Sequence, residues 1–171
     1  MVALYITSTT PYAGKSALCV GLAKRFQEDG YRIGYMRPVA TVKARIGECV
    51  LDEEADLMRQ TLGLTEPVDA IWPVCLDPPT VEAVLRGEGR DFPQLVLDAF
   101  NIVSKGKDIV LLEGGSRCSQ GLGVGLSADR IAELVRPRCL WSLNMMSPQS
   151  WLWMTCWPTR HGWETVCWAL S

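Results

Sequence analysis

The chain has 171 residues, 48% of them apolar, and a formal charge of −2 at neutral pH. That length and apolar content suffice for one well-buried domain, so a single globular unit is the default expectation. The weak negative balance gives no clustered basic surface for nucleic acid or an anionic membrane, and neither partner is expected.

The opening stretch, MVALYITSTT, is apolar for too few residues and lacks the basic start and small-residue cleavage site of an export signal. The expected compartment is therefore the cytoplasm. Seven cysteines without a C-x-x-C pair fit neither a disulfide framework nor a zinc site, and read as reduced thiols. A single histidine, His161, leaves no material for a histidine-based triad or a multi-histidine metal centre.

Residues 3–8, ALYITS, are apolar with aromatic and β-branched members and run into a turn with Pro11 and Gly14, which predicts a buried strand. From Lys15 to Asp29, Leu18, Leu22 and Phe26 recur every four residues and Gly30 supplies a stop, which predicts a helix. A second strand, RIGYM at 32–36, follows directly, so the two strands should lie parallel in a right-handed crossover. The acidic LDEEADLMRQTLGL reads as a loop entering a helix. Thr80, after two prolines, is expected to cap a helix reaching about Gly87. Asp91 should cap another with Leu95, Ala99 and Ile102 along one face. DIVLLEGG at 108–115 is the clearest buried strand, four apolar residues ending on a carboxylate and two glycines. Ser127 opens a helix through roughly Val135. Alternating strands and helices with non-alternating apolar strands predict an α/β fold, a parallel sheet covered by helices on both faces.

The segment TSTTPYAGKS, 7–16, ends in the Gly-Lys-Ser of a phosphate-binding loop but has a threonine where the usual pattern has its first glycine. In such a loop, backbone N–H groups and the helix N-terminus surround phosphate oxygens, the lysine adds a charge and the hydroxyl meets magnesium. Thr10, Ala13, Gly14, Lys15, Ser16 and Ala17 are thus the candidate nucleotide-binding residues, with Ser16 as a metal ligand. A lysine in an ordinary first helical turn is the bland alternative, which the strand-loop-helix context disfavours. Glu113 ends an apolar strand, where a carboxylate can reach the magnesium or simply be solvated. Asp52, Glu53, Glu54 and Asp56 offer a second acidic group that equally suits a solvated helix start; Asp52 is the preferred ligand among them.

Taken together, LYITSTTPYAGKSALCVGLAKRF, GYMRPVAT, LDEEADLM and VLLEGGS resemble dethiobiotin synthetase and its relatives over about residues 2–135. The nearest resemblance is to the dethiobiotin-synthetase-like domain at the N-terminus of some phosphate acetyltransferases and related regulatory proteins. It implies a three-layer P-loop NTPase fold with a mostly parallel sheet. It also implies a stretched loop whose first glycine, here Ser8, stands six places before the second. ATP and Mg2+ are the implied cofactors, with Lys15 on the phosphates, Ser16 and Glu113 on the metal, and an acid near Asp52 completing the site. Arg37 stands where the enzymes have lysine in KPV, exchanging a compact ammonium for a planar fork. Lys15 and Arg37 are the candidate catalytic residues. In the true synthetases a substrate carbamate attacks the γ-phosphoryl group and the mixed anhydride closes to a cyclic urea, the protein contributing positioning and charge neutralisation. GSRCSQGLGVGLSAD would then lie over the substrate, although its glycines equally serve flexibility alone. No residue in it identifies diaminopelargonate.

After Arg136 the texture changes, with six of the seven tryptophans and three of the seven cysteines, and neither a period of 2 nor of 3.6. A membrane anchor is one reading, opposed by two prolines and several polar residues. The preferred reading is a reading-frame shift near residue 136. Codons beginning one base earlier would turn each tryptophan or cysteine codon into NTG or its relatives, restoring Leu, Met or Val. The expected organisation is a domain over 1–136 and an anomalous tail over 137–171, with the sheet incomplete at the C-terminus. The expected function is a nucleotide-binding domain acting as a regulatory or sensing module. An ATP-dependent cyclo-ligase and an inactive frameshifted product are the alternatives. Nucleotide, a small-molecule substrate and a second copy in a homodimer are the partners considered.

Overall fold

The computed structural model describes residues 1–41, 44–46, 49–51, 53–143, 151–156 and 164–169. Strand β1 (Val2–Ser8) leads through the loop at 9–14 into helix α1 (Lys15–Glu28), and β2 (Ile33–Met36) follows. Three-residue strands β3 (Val39–Thr41), β4 (Ala44–Ile46) and β5 (Cys49–Leu51) precede helix α2 (Glu53–Leu62). Next come α3 (Val68–Ile71), β6 (Val74–Leu76), α4 (Pro78–Leu85), α5 (Phe92–Ser104), β7 (Ile109–Glu113), α6 (Ala128–Val135) and the strands β8 (Cys139–Leu143), β9 (Trp151–Cys156) and β10 (Glu164–Ala169).

The main sheet has the order β10-β9-β8-β1-β7-β2. β1 lies parallel between β7 and β8, and β2 is parallel to β7, whereas β9 and β10 run antiparallel. The sheet is thus mostly parallel at its centre, as expected, and β1 and β2 are parallel with β7 inserted between them. Small pairs β3 with β6 and β4 with β5 stand outside it. Strands of three residues are too short to carry a periodic signal, which is why the sequence did not announce them.

Alternation along the central strands sorts the core into two layers. Ala3, Tyr5, Met36, Val110 and Leu112 pack on one face with the buried sides of α5 and α6. Ile6, Ile33, Tyr35 and Leu111 pack on the other with Cys19 and Ala23 of α1 and Met58 and Leu62 of α2. Side chains at successive strand positions point to opposite faces, so a strand covered on both sides needs apolar residues at every position. Helices on both faces of a parallel sheet make the three-layer α/β architecture expected for a P-loop fold.

Two local expectations need correction. Helix α4 starts at Pro78 and is capped by Asp77, whose side chain accepts from the Thr80 N–H at 2.9 Å. A proline in the first turn has no N–H to satisfy, so the cap moves upstream and Thr80 supplies the capped donor rather than the cap. Helix α5 is capped by Asp91 as expected, but its inner face is Phe92, Val96, Ala99, Phe100 and Val103, while Leu95 and Ile102 are exposed. Two apolar stripes compete on that helix, and the one with both phenylalanines is buried because it removes more area from water. On α1, Leu18, Leu22 and Phe26 flank the core half-buried, and the smaller Cys19 and Ala23 face the sheet.

Candidate functional site

Phosphate loop, β7 and β2 converge at the carboxyl ends of the central strands, where parallel α/β sheets bind ligands. Gly14 enters α1 with φ +85°, a left-handed conformation that a side chain would strain. The turn lets the N-terminal N–H groups of α1 face the cavity, where the helix dipole favours an anion.

Lys15 is buried, and its Nζ donates to Ser8 Oγ at 2.6 Å. The Ser8 hydroxyl donates in turn to the Thr10 carbonyl at 2.8 Å. Ser8, at the position of the stretched loop's first glycine, therefore ties both ends of the loop together. Ser16 Oγ donates to Glu113 Oε1 at 2.8 Å, so the two expected metal ligands meet. Glu113 is only 1% exposed, yet its second oxygen is also satisfied, because the Tyr35 hydroxyl donates to Oε2 at 2.8 Å. Cys19, one helical turn beyond Lys15, is fully buried near the same carboxylate. Burial first, and then the Glu113 charge, push both the Tyr35 phenol and the Cys19 thiol well above their ordinary values, so both stay protonated.

The chain leaving β7 lies flush against β1. The Gly114 N–H donates to the Ile6 carbonyl at 2.7 Å, and a Cβ at Gly114 would sit 2.8 Å from Thr7 Oγ1 and 3.2 Å from Thr7 Cα. Only glycine fits there without displacing β1. Farther along, the Cys118 thiol donates to the Ser8 carbonyl at 3.2 Å, and Gln120 Oε1 accepts from the Ser116 N–H and hydroxyl at 2.6 and 2.9 Å. These bonds fold the glycine-rich segment after β7 onto the phosphate loop.

A cavity of about 590 Å³ opens between these parts. Lys15, Ser16, Arg37 and Glu113 line it together with Ala13, Gly14 and Ala17. Pro11, Tyr12, Ser116 and Arg117 complete the rim. Arg37 is buried, and its backbone N–H donates to the Ile71 carbonyl at 2.7 Å. Thr10 is not among the lining residues; its carbonyl serves the loop, and its buried Oγ1 has no hydrogen-bond partner among the described residues. Asp52 lies outside the described residues. Asp56 is engaged on its own helix, accepting from Arg59 at 3.3 Å and Gln60 at 2.7 Å.

Among the described residues, three cationic side chains and one carboxylate around the cavity suit an anion that arrives with a metal. The donor set fits magnesium. Ser16 Oγ and Glu113 Oε1 are hard oxygen donors within one hydrogen bond of each other, and magnesium is commonly held by one or two carboxylates plus substrate phosphates rather than by a protein cage. Among the described residues no cluster of three or more His, Cys, Asp or Glu could hold a metal alone.

Tyr35 and Cys19 are the site residues that motif reading missed. Cys19 lies four residues after Lys15, so helical spacing alone could have suggested it. Tyr35 pairs in register with Leu111, two residues before Glu113, and thus shares a sheet face with it; no local pattern reveals that. Among the described residues no helix is long and apolar enough to cross a membrane.

The sequence profile of the AAA domain family matches residues 2–139. The ATP-dependent dethiobiotin synthetase of Caldicellulosiruptor saccharolyticus is 26% identical over 132 residues, covering 76% of this chain and 53% of the synthetase. The counterpart from Aquifex aeolicus is 32% identical over 113 residues, covering 65% of this chain and 48% of the enzyme. A phosphate acetyltransferase from Nitrosomonas europaea is 30% identical over 142 residues, covering 77% of this chain and 19% of the acetyltransferase. The chain thus spans about half the length of the synthetases it matches, and a smaller part of the acetyltransferase. With its phosphate loop, its strand-end glutamate and its parallel three-layer core, the chain belongs to the AAA domain family as a dethiobiotin synthetase-like P-loop domain.

Proposed function

We propose that the chain binds ATP with Mg2+ in the cavity at the phosphate loop and acts as a regulatory or sensing module rather than as a self-sufficient enzyme. The observation carrying this reading is the 2.8 Å bond between Ser16 Oγ and Glu113 Oε1 at the wall of a cavity that Lys15 and Arg37 also line. Lys15 and the N-terminus of α1 would hold the phosphates, and the backbone from Ala13 to Ala17 would complete the cradle. Ser16 and Glu113 would hold the metal, which when bound offsets phosphate charge. The module reading draws on the acetyltransferase likeness and on Arg37, whose planar fork clamps an anion but does not reproduce the point charge of a lysine. A cytoplasmic setting agrees with Cys19 and Cys118 as reduced thiols.

The second reading is an ATP-dependent cyclo-ligase, favoured by the likeness to two synthetases and by Arg37 and Arg117 beside the phosphate loop, where an anionic acceptor could dock. ATP binding measured with and without Mg2+, alongside ATP hydrolysis with and without diaminopelargonate, separates the two. The module binds Mg2+-ATP and shows no substrate-dependent turnover, whereas turnover that requires diaminopelargonate rejects it.

We further propose a boundary near residue 136 and a reading-frame shift behind the tail composition. The family match ends at residue 139, close to where the tryptophan content rises. A tail without the family's adenine-binding region would weaken nucleotide affinity or leave the product inactive. Resequencing the gene across codons 115 to 171 tests it; an unshifted frame sinks the idea.

A further inference from the structure

Glu113 presents its two carboxylate oxygens to two different partners, Ser16 on α1 and Tyr35 on β2. We propose that Tyr35 is a positioning residue for the metal site, its hydroxyl holding Glu113 so that Oε1 faces Ser16 and the cavity. The inference rests on the Mg2+-ATP reading above and adds a residue that neither the phosphate loop nor the strand-end motif contains.

Three observations carry it. The torsion that spins a glutamate carboxylate is broad and roughly two-fold, so a bond on Oε1 alone leaves its plane less constrained than bonds on both oxygens. Tyr35 is fully buried and Glu113 is 1% exposed, so bulk water is poorly placed to replace the lost donor. The register sets Tyr35 beside Leu111 on the same sheet face as Glu113, and Gly114, flush against Thr7, fixes where the glutamate backbone stops. The phenol, the strand end and the helix start thus hold one carboxylate from three sides. Partners of this kind behind a ligand commonly govern metal affinity about 10- to 100-fold when removed. The competing view is that Glu113 merely satisfies a buried tyrosine hydroxyl, as any acceptor could.

The full chain is compared with Tyr35→Phe and with Tyr5→Phe, which removes another fully buried hydroxyl on the opposite face of the sheet. ATP binding is titrated with Mg2+ and repeated in chelator. Expected for Tyr35→Phe is a roughly 10-fold rise in the Mg2+ concentration at half-saturation, with metal-free ATP binding unchanged. Tyr5→Phe should leave both at the parent's values. In a Glu113→Gln background, Tyr35→Phe should add nothing, because the two act as one unit. The proposal is overturned if Tyr35→Phe keeps the parent's Mg2+ midpoint, or if it weakens metal-free and metal-loaded binding equally, or if Tyr5→Phe shifts the midpoint as much. A parent that binds ATP without any Mg2+ dependence overturns the function reading itself, and this proposal with it. A second readout is tyrosine labelled with ¹³C at Cζ. The Tyr35 signal, assigned by its loss in Tyr35→Phe and so told apart from Tyr12 on the cavity rim, should move when Mg2+ joins bound ATP, and an unmoved Tyr35 signal rejects the role.

Discussion

Strand β7 is bracketed by two carboxylates, Asp108 just before it and Glu113 as its last residue, and the fold treats them oppositely. Asp108 accepts three bonds from Arg32, from the backbone N–H at 2.9 Å, from Nε at 3.0 Å and from Nη2 at 2.8 Å. That planar, bidentate pairing, with the guanidinium bonds as its main cause, holds the Asp108 carboxyl well below the usual carboxylate range. Glu113 is buried and held by two hydroxyl donors instead. A guanidinium has no lone pair to offer a metal and keeps its charge, so Asp108 is closed to a cation. A hydroxyl can turn its proton elsewhere and present oxygen, so the Glu113 end can accept one. The donor type, more than the carboxylate, separates the structural end of the strand from the candidate functional end.

Substitutions can break this contrast. Glu113→Gln should weaken Mg2+-dependent ATP binding most, by about 100-fold, because it removes the charged ligand while preserving shape. Asp108→Asn should leave that binding within about twofold, since an exposed pair at the opposite end of the strand is screened from the site. Equal losses in isothermal titration of the two variants would show that the contrast is false. Lys15→Met should come next, lowering ATP affinity roughly 10- to 100-fold with or without metal, as expected for losing a charge-assisted phosphate contact. Restriction of that loss to the Mg2+-loaded state would move Lys15 out of phosphate binding.

Gly114→Ala is expected to act in between, through the backbone. Its new methyl group would overlap Thr7, lowering the melting temperature by about 5 °C and weakening Mg2+ dependence as Glu113 shifts. An unchanged thermal scan would mean that the strand ends yield freely. The smallest effect belongs to Asp108→Asn on stability. A carboxyl with a depressed folded value contributes stability above its unfolded value of about 4, and loses it as pH falls through the folded one. The parent should therefore melt slightly above the variant at neutral pH, and the gap should close as pH drops below about 4 and shrink in high salt. A gap that widens in acid would contradict the sign.

What the sequence disclosed and withheld follows from range. Lys15 and Ser16 were legible because a strand, a turn and a helix start are adjacent in the chain, and Glu113 because an apolar run ending on an acid is a local pattern. Tyr35 was not, because its meeting with Glu113 depends on the register of β2 against β7, across 78 positions of chain. The inner face of α5 was misjudged because amphipathic spacing admits two stripes, and only packing chooses between them. The preferred acidic ligand, Asp52, falls outside the described residues, so the second carboxylate stays a sequence-level expectation.

The tight fit of Gly114 against Thr7 has a consequence for mutation rather than for chemistry. One base change converts any glycine codon to one for alanine, the mildest replacement available and one that alters neither charge nor polarity. At this position that change would press apart the ends of β1 and β7, the two strands that carry Ser8 and Glu113. The site can therefore be damaged with every charged residue and every hydroxyl in it intact, and a variant screen scored on charged positions alone would overlook one of its most vulnerable points.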